Sequence, residues 1–160
     1  MVIMKIMGIV IFSVIFVQLA TLIHESAHAL SALILTKNKV DLLLGSFDGP
    51  LIKSFSIKRI NIRIYGFNPL FGGINCFLEG IRDISKVIIY LSGPLISLLS
   101  GIVLLIVINI TNIEILNYYA DYMLIQFFIT ILPIKYPKIF FHYYNKESDG
   151  YNAIRIIKKL

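Results

Sequence analysis

From Ile6 to Ile23 the chain reads IMGIVIFSVIFVQLATLI without a charged residue, and it continues through HESAHALSALILT to Thr36, a second stretch with neither Gly nor Pro. A helix crosses a bilayer in about 20 apolar residues at 1.5 Å rise each, so this run is long enough to do so. The pattern predicts one helix from about Met4 to Leu35. A cleaved signal peptide is the rival reading. The apolar stretch is too long for one and offers no small-x-small cleavage site before Leu22.

Two further apolar runs follow. VIIYLSGPLISLLSGIVLLIVINI, Val87 to Ile110, is the clearest. Its Gly93-Pro94 pair predicts a break or kink one turn in. Ser92, Gly93, Ser97, Ser100 and Gly101 are the small residues expected where helices approach closely in lipid. YYADYMLIQFFITILPI, Tyr118 to Ile134, is shorter and meets Pro133 at its end. Hydrophobic residues make up 58% of the 160 and mean hydropathy is +0.83, above the usual range of soluble domains. The net charge of +6 is read as membrane topology rather than as nucleic-acid binding. Lys and Arg gather between Lys37 and Lys86 and again from Lys135 to Lys159, while TNIEILN between the second and third runs has none. By the positive-inside rule both basic segments face the cytoplasm and the N-terminus faces out. The expectation is an all-α membrane protein of one domain, residues 1–160, with a three-transmembrane-helix core at about 4–35, 87–110 and 113–134. Its expected place is a bacterial-type cell membrane as a multi-pass protein, with a cytoplasmic region 37–86 and a cytoplasmic tail 135–160.

Within the first basic segment, RINIRIYGF alternates apolar and polar residues with period two, and NPLFGGINCFLEG offers a turn and a second short strand. These predict a β-hairpin, Arg59–Phe77, at the membrane surface between the first two helices. Gly72 and Gly73 would let another backbone approach it closely, so the hairpin is expected to offer an edge strand to an unwound peptide. The single cysteine, Cys76, permits no intrachain disulfide and reads as a small apolar residue.

The polar turn at the end of the first run carries the chemistry. On a helix, residues four apart share a face, so His24 and His28 can offer two imidazoles to one metal ion. Glu25 then stands beside the ion without ligating it. This is the H-E-x-x-H arrangement, with two zinc ligands and a general base for the attacking water. The bland alternative is a hydrated helix end. Ionisable groups in an apolar helix cost at least about 2.5–3.5 kcal/mol each on insertion scales and require a partner, which favours one zinc ion. A catalytic zinc takes three protein ligands and keeps a fourth position open. His142, Glu114, Asp121, Glu147 and Asp149 are the candidates. On the expected topology, Glu114 and Asp121 lie at the outer end of the third helix, away from His24 and His28. Asp149 leads because an Asp-Gly pair can turn tightly back, with Glu147 and His142 behind it.

Three blocks in order resemble the site-2 protease family of intramembrane zinc metalloproteases: HESAH, then LSGPLISLL, then ILPIKYP followed by ESDGY. The resemblance implies zinc held by His24, His28 and Asp149, with Glu25 as catalytic base. It implies hydrolysis of membrane-spanning or membrane-associated peptides near the cytoplasmic face, with the lipid bilayer as partner and no nucleic acid. Gly93 and Pro94 fall in the family's central-helix block. An asparagine usually follows that pair by a few residues and is associated with the oxyanion or the substrate; Ser97 stands there in this chain, with a shorter reach. The rival expectation is a weak or inactive relative that binds peptides or handles metal. An intact Glu25 favours the enzyme, because a binding-only site has no need of a base.

Overall fold

The computed structural model describes the backbone of residues 2–46, 49–66 and 68–159, and within these the side chains of all but 2–9, 11–13, 141 and 142. Helix α1 runs Val2–Leu35 and is followed by four short strands: β1 Val40–Leu44, β2 Lys53–Ile57, β3 Ile60–Ile64 and β4 Gly72–Cys76. Then come α2 Asp83–Thr111, α3 Ile115–Ile131, a 3-10 helix Lys138–Tyr143, and α4 Asp149–Ile157. The strands form one mixed sheet in the order β2-β3-β1-β4. β1 pairs in parallel with β3 and antiparallel with β4, and β2 pairs antiparallel with β3.

Strand β1 organises this sheet. Val40, Leu42 and Leu44 are buried while Asp41 and Leu43 are less so, the two-residue period of a strand with one face on a core. Val40 and Leu42 meet Ala29 and Ala32 of α1 and Ile89 of α2. On the opposite face Asp41 accepts from Asn61 at 2.7 Å and pairs with Arg63 at 3.1 Å, both on β3. A second apolar cluster joins Ala20 of α1 to Tyr119 and Met123 of α3. Helix α2 packs against α1, α3 and α4. His24 and His28 lie on α1 between the two clusters, so both flanks of this polar turn are fixed by packing.

The all-α expectation is therefore corrected: the chain is a mixed α/β structure with four α-helices and a four-stranded sheet. The expected Arg59–Phe77 hairpin is corrected too. Its two strands, β3 and β4, do not pair; β1 lies between them, and the hairpin is β2–β3, turning at Lys58 with φ 54°. The three-span, multi-pass topology is not supported either. Among the described residues only α2 is long and apolar enough to cross a membrane. Helix α3 has 17 residues, about 25 Å of helix against a hydrocarbon core of about 30 Å. Helix α2 runs through Pro94 as one element, and its exposed side chains include Leu95, Leu99, Ile102, Val103, Ile106 and Ile110.

Candidate metal centre

His24 and His28, one turn apart on α1, point their Nε2 atoms at each other across 3.2 Å. Asp149 Oδ2 lies 3.4 Å from each of them. These three residues form a group able to hold a metal ion. An ion bonded at about 2.05 Å to tetrahedral donors needs those donors roughly 3.3 Å apart. The three separations, 3.2, 3.4 and 3.4 Å, match that edge length.

Each imidazole is held from behind. His28 Nδ1 donates to the Ile89 carbonyl at 2.6 Å, which leaves Nε2 as the ligating atom. His24 Nδ1 lies 2.9 Å from Ser97 Oγ. Ser97 in turn donates to Gln126 Oε1 at 3.4 Å, so its oxygen accepts from His24 Nδ1–H and again leaves Nε2 free. Such outer partners orient metal-binding histidines and raise their basicity. Ser97 is fully buried, and it sits behind His24 rather than facing the cavity. Gly93 faces His28 directly: a Cβ there would overlap the imidazole. Its neighbour Pro94 is also buried and has no N–H to give to the Tyr90 carbonyl.

Asp149 reaches the site because α4 starts close under the end of α3. Ser148 caps α4 by accepting from Tyr151 N–H at 3.1 Å, and its hydroxyl donates to the Leu132 carbonyl at 2.5 Å. Gly150 is a helical residue of α4. Its role is close approach rather than a tight turn, since a Cβ there would overlap the Ile131 carbonyl. Glu147 instead pairs with Arg155 at 2.6 Å and Lys135 at 3.7 Å. Glu114 precedes the first turn of α3, and neither it nor Asp121 belongs to the metal-binding group. The His142 side chain lies outside the described residues.

Beside this group a cavity of about 830 Å³ extends along β4, lined by His24, Glu25, His28 and Asp149 on one side and by Gly72, Gly73, Ile74 and Cys76 on the other. Glu25 and the strand touch: a Cβ on Gly72 would stand 2.6 Å from Glu25 Cγ. Burial pushes the Glu25 carboxyl above its ordinary range, against the pull of His24 and His28. Burial by itself would lower His28, but the Asp149 carboxylate outweighs it and the imidazole ends at about 9. Burial would likewise raise Asp149, and His28 with His24 outweighs it, holding the carboxyl at about 2. Without metal the cluster is thus an imidazolium–carboxylate pair.

The pH dependence of the metal-free fold follows. His28 is raised from 6.5 to about 9, so its contribution is complete below pH 6.5 and is lost as pH climbs through 9. Asp149 is lowered from 3.8 to about 2, so its contribution is complete above pH 3.8 and is lost as pH falls through 2. Chelator-treated protein should be most stabilised by this pair between those limits, near pH 4–6.5. Its Tm should fall by several degrees between pH 6.5 and 9, and Asp149→Asn should flatten that slope. An identical slope in the variant would remove the pair as its cause.

The sequence singled out His24, Glu25, His28 and Asp149, and the fold gathers them. It did not single out Gln126, the Ile89 carbonyl or Tyr143. Tyr143 stacks on Phe71 with centroids 4.8 Å apart. Its hydroxyl donates to the Gly72 carbonyl at 2.9 Å and accepts from Gly72 N–H at 3.2 Å. No local pattern announces a side-chain to backbone bond across 71 residues. The chain matches no protein-family model, no curated protein and no solved structure.

Proposed function

We propose that this protein is a zinc-dependent endopeptidase that cleaves extended apolar segments, such as unwound stretches of membrane-spanning or membrane-associated peptides. The observation that carries the reading is the close approach of Glu25 and Gly72, which sets a carboxylate beside the His24–His28–Asp149 group and against the end strand β4 of the sheet. Two imidazoles and one carboxylate are nitrogen and oxygen donors suited to zinc, and three protein ligands with one open position is the catalytic pattern. The sequence resemblance to site-2 proteases supports the same assignment.

His24, His28 and Asp149 would hold the zinc, which when bound would supply Lewis acidity and lower the pKa of water. Glu25 takes the proton from the attacking water and delivers it to the amine nitrogen as the peptide C–N bond breaks. Ser97 and the Ile89 carbonyl keep the two imidazoles oriented throughout. A helical peptide has its carbonyls engaged in hydrogen bonds, so the substrate must be unwound before β4 can take it as an added strand. The mainly apolar lining of the cavity suits such a segment.

Purified protein loaded with zinc should cut an apolar peptide carrying a central Gly, Pro, Asn or Ser. Mass spectrometry should find two fragments whose masses sum to the peptide plus one water. A chelator should stop the reaction and added zinc should restore it. Peptide that binds but stays intact across a varied panel would overturn the enzyme in favour of a peptide-binding or metal-handling protein.

A further inference from the structure

Strand β4 lies at the end of the sheet, and among the described residues no strand pairs with its outer edge. Which of its backbone groups face outward follows from the ladder. Gly45 N–H donates to the Phe71 carbonyl at 2.9 Å, so Phe71 faces β1. Residues of an antiparallel strand alternate between the two sides. Gly72, Ile74 and Cys76 therefore present their N–H and C=O groups away from β1, along the cavity that Glu25 shares. An incoming strand needs those groups. At Gly72 they are already engaged, because one phenol hydroxyl of Tyr143 accepts from its N–H and donates to its carbonyl.

We propose that Tyr143 is a latch on the peptide-binding edge: its hydroxyl occupies the Gly72 position in place of substrate backbone, and an extended peptide must displace it to lie beside Glu25. The inference rests on the peptidase reading above and adds its regulation. Tyr143 ends the 3-10 helix Lys138–Tyr143, in the segment that joins α3 to α4. The same segment leads to Asp149 through the Tyr136–Lys146 and Ile134–Ser148 backbone bonds. Opening the latch therefore moves a strap whose far end is anchored beside the metal ligands. A peptide that pairs with Gly72 replaces both hydrogen bonds that Gly72 gives up with Tyr143, and the freed phenol turns to water, so the exchange is close to balanced and the edge stays closed to weakly pairing chains.

The test uses full-length, zinc-loaded protein carrying Glu25→Gln, so that binding is read without cleavage. The probe is a fluorescein-labelled peptide of alternating Val and Thr with lysines at its ends. Tyr143→Phe removes the hydroxyl and keeps the ring on Phe71. It should bind the probe about tenfold more tightly. Its Gly72 amide should exchange faster when free and regain protection with peptide. In the protein that keeps Tyr143, the probe should increase nitration of Tyr143 by tetranitromethane, a reading that needs no substitution at the latch. Equal or weaker binding by Tyr143→Phe, with nitration unchanged by peptide, overturns the latch and leaves the peptide site standing. If neither protein binds the probe, the peptide reading of the edge falls and the latch falls with it.

Discussion

Glu25→Gln should abolish peptide hydrolysis, lowering kcat by about 10²–10⁴-fold, while zinc content stays at the wild-type level. The two halves of that result come from different atoms. In the proposed centre zinc would be held by His24, His28 and Asp149, whose facing atoms lie 3.2–3.4 Å apart without any contribution from Glu25. The proposed hydrolysis would need a carboxylate able to accept a proton, and glutamine has nearly the same shape without that capacity. The space a Cβ at Gly72 would need is taken by the Glu25 side chain, so an isosteric replacement also leaves β4 in place. Burial raises the Glu25 carboxyl above its ordinary range, in the direction that improves a general base working near neutral pH. Zinc analysis and single-turnover cleavage on the same preparation check both halves. A variant that cuts at the wild-type rate would remove Glu25 from the mechanism. One that loses zinc would place it among the ligands.

The site was more legible in the sequence than the fold around it, and the reason is physical. His24 and His28 share a helix face whatever surrounds the helix, so their spacing alone defines half of a metal site. The Asp-Gly pair marks Asp149, but Gly150 serves packing against the Ile131 carbonyl rather than a turn. The sheet escaped because its decisive pairing, β1 with β3, is parallel and spans another strand. Nothing in the alternation of RINIRIYGF says which strand it meets, and KSFSI is exposed at every position, so it carries no burial pattern to read. VDLLL is a five-residue strand whose apolar excess masks its period. The membrane topology failed for a related reason. An apolar run is not by itself a span: α3 measures 17 residues. The Gly-Pro block marks Ser97 but not its bond to His24, 73 residues away, and no local motif marks the bonds of Tyr143 to Gly72, 71 residues away.

Gly93→Ala should lower zinc affinity by more than about 100-fold, beyond the usual effect of removing an outer partner of a ligand. The argument turns on two opposed consequences of one methyl group. In a helix interior, alanine is better than glycine by about 1 kcal/mol, so α2 by itself gains stability. At position 93, however, the new Cβ would overlap Nε2, Cε1 and Cδ2 of His28. His28 has little freedom to retreat, because its Nδ1 is bonded to the Ile89 carbonyl at 2.6 Å and the residue is buried. The ring must leave either that bond or the ligand triangle, and each route moves Nε2 off the vertex it shares with His24 and Asp149. The metal-free fold also loses the His28–Asp149 pair, so its Tm should fall despite the better helix former. Competition with a zinc-binding dye and a thermal melt in chelator measure the two effects separately. If Gly93 were only a permissive helix position, the variant would melt higher and bind zinc unchanged, and that outcome would refute the packing argument. Loss of zinc together with a lowered metal-free Tm places the origin of the site's geometry in α2: the missing side chain at 93 is what allows a second imidazole to stand there.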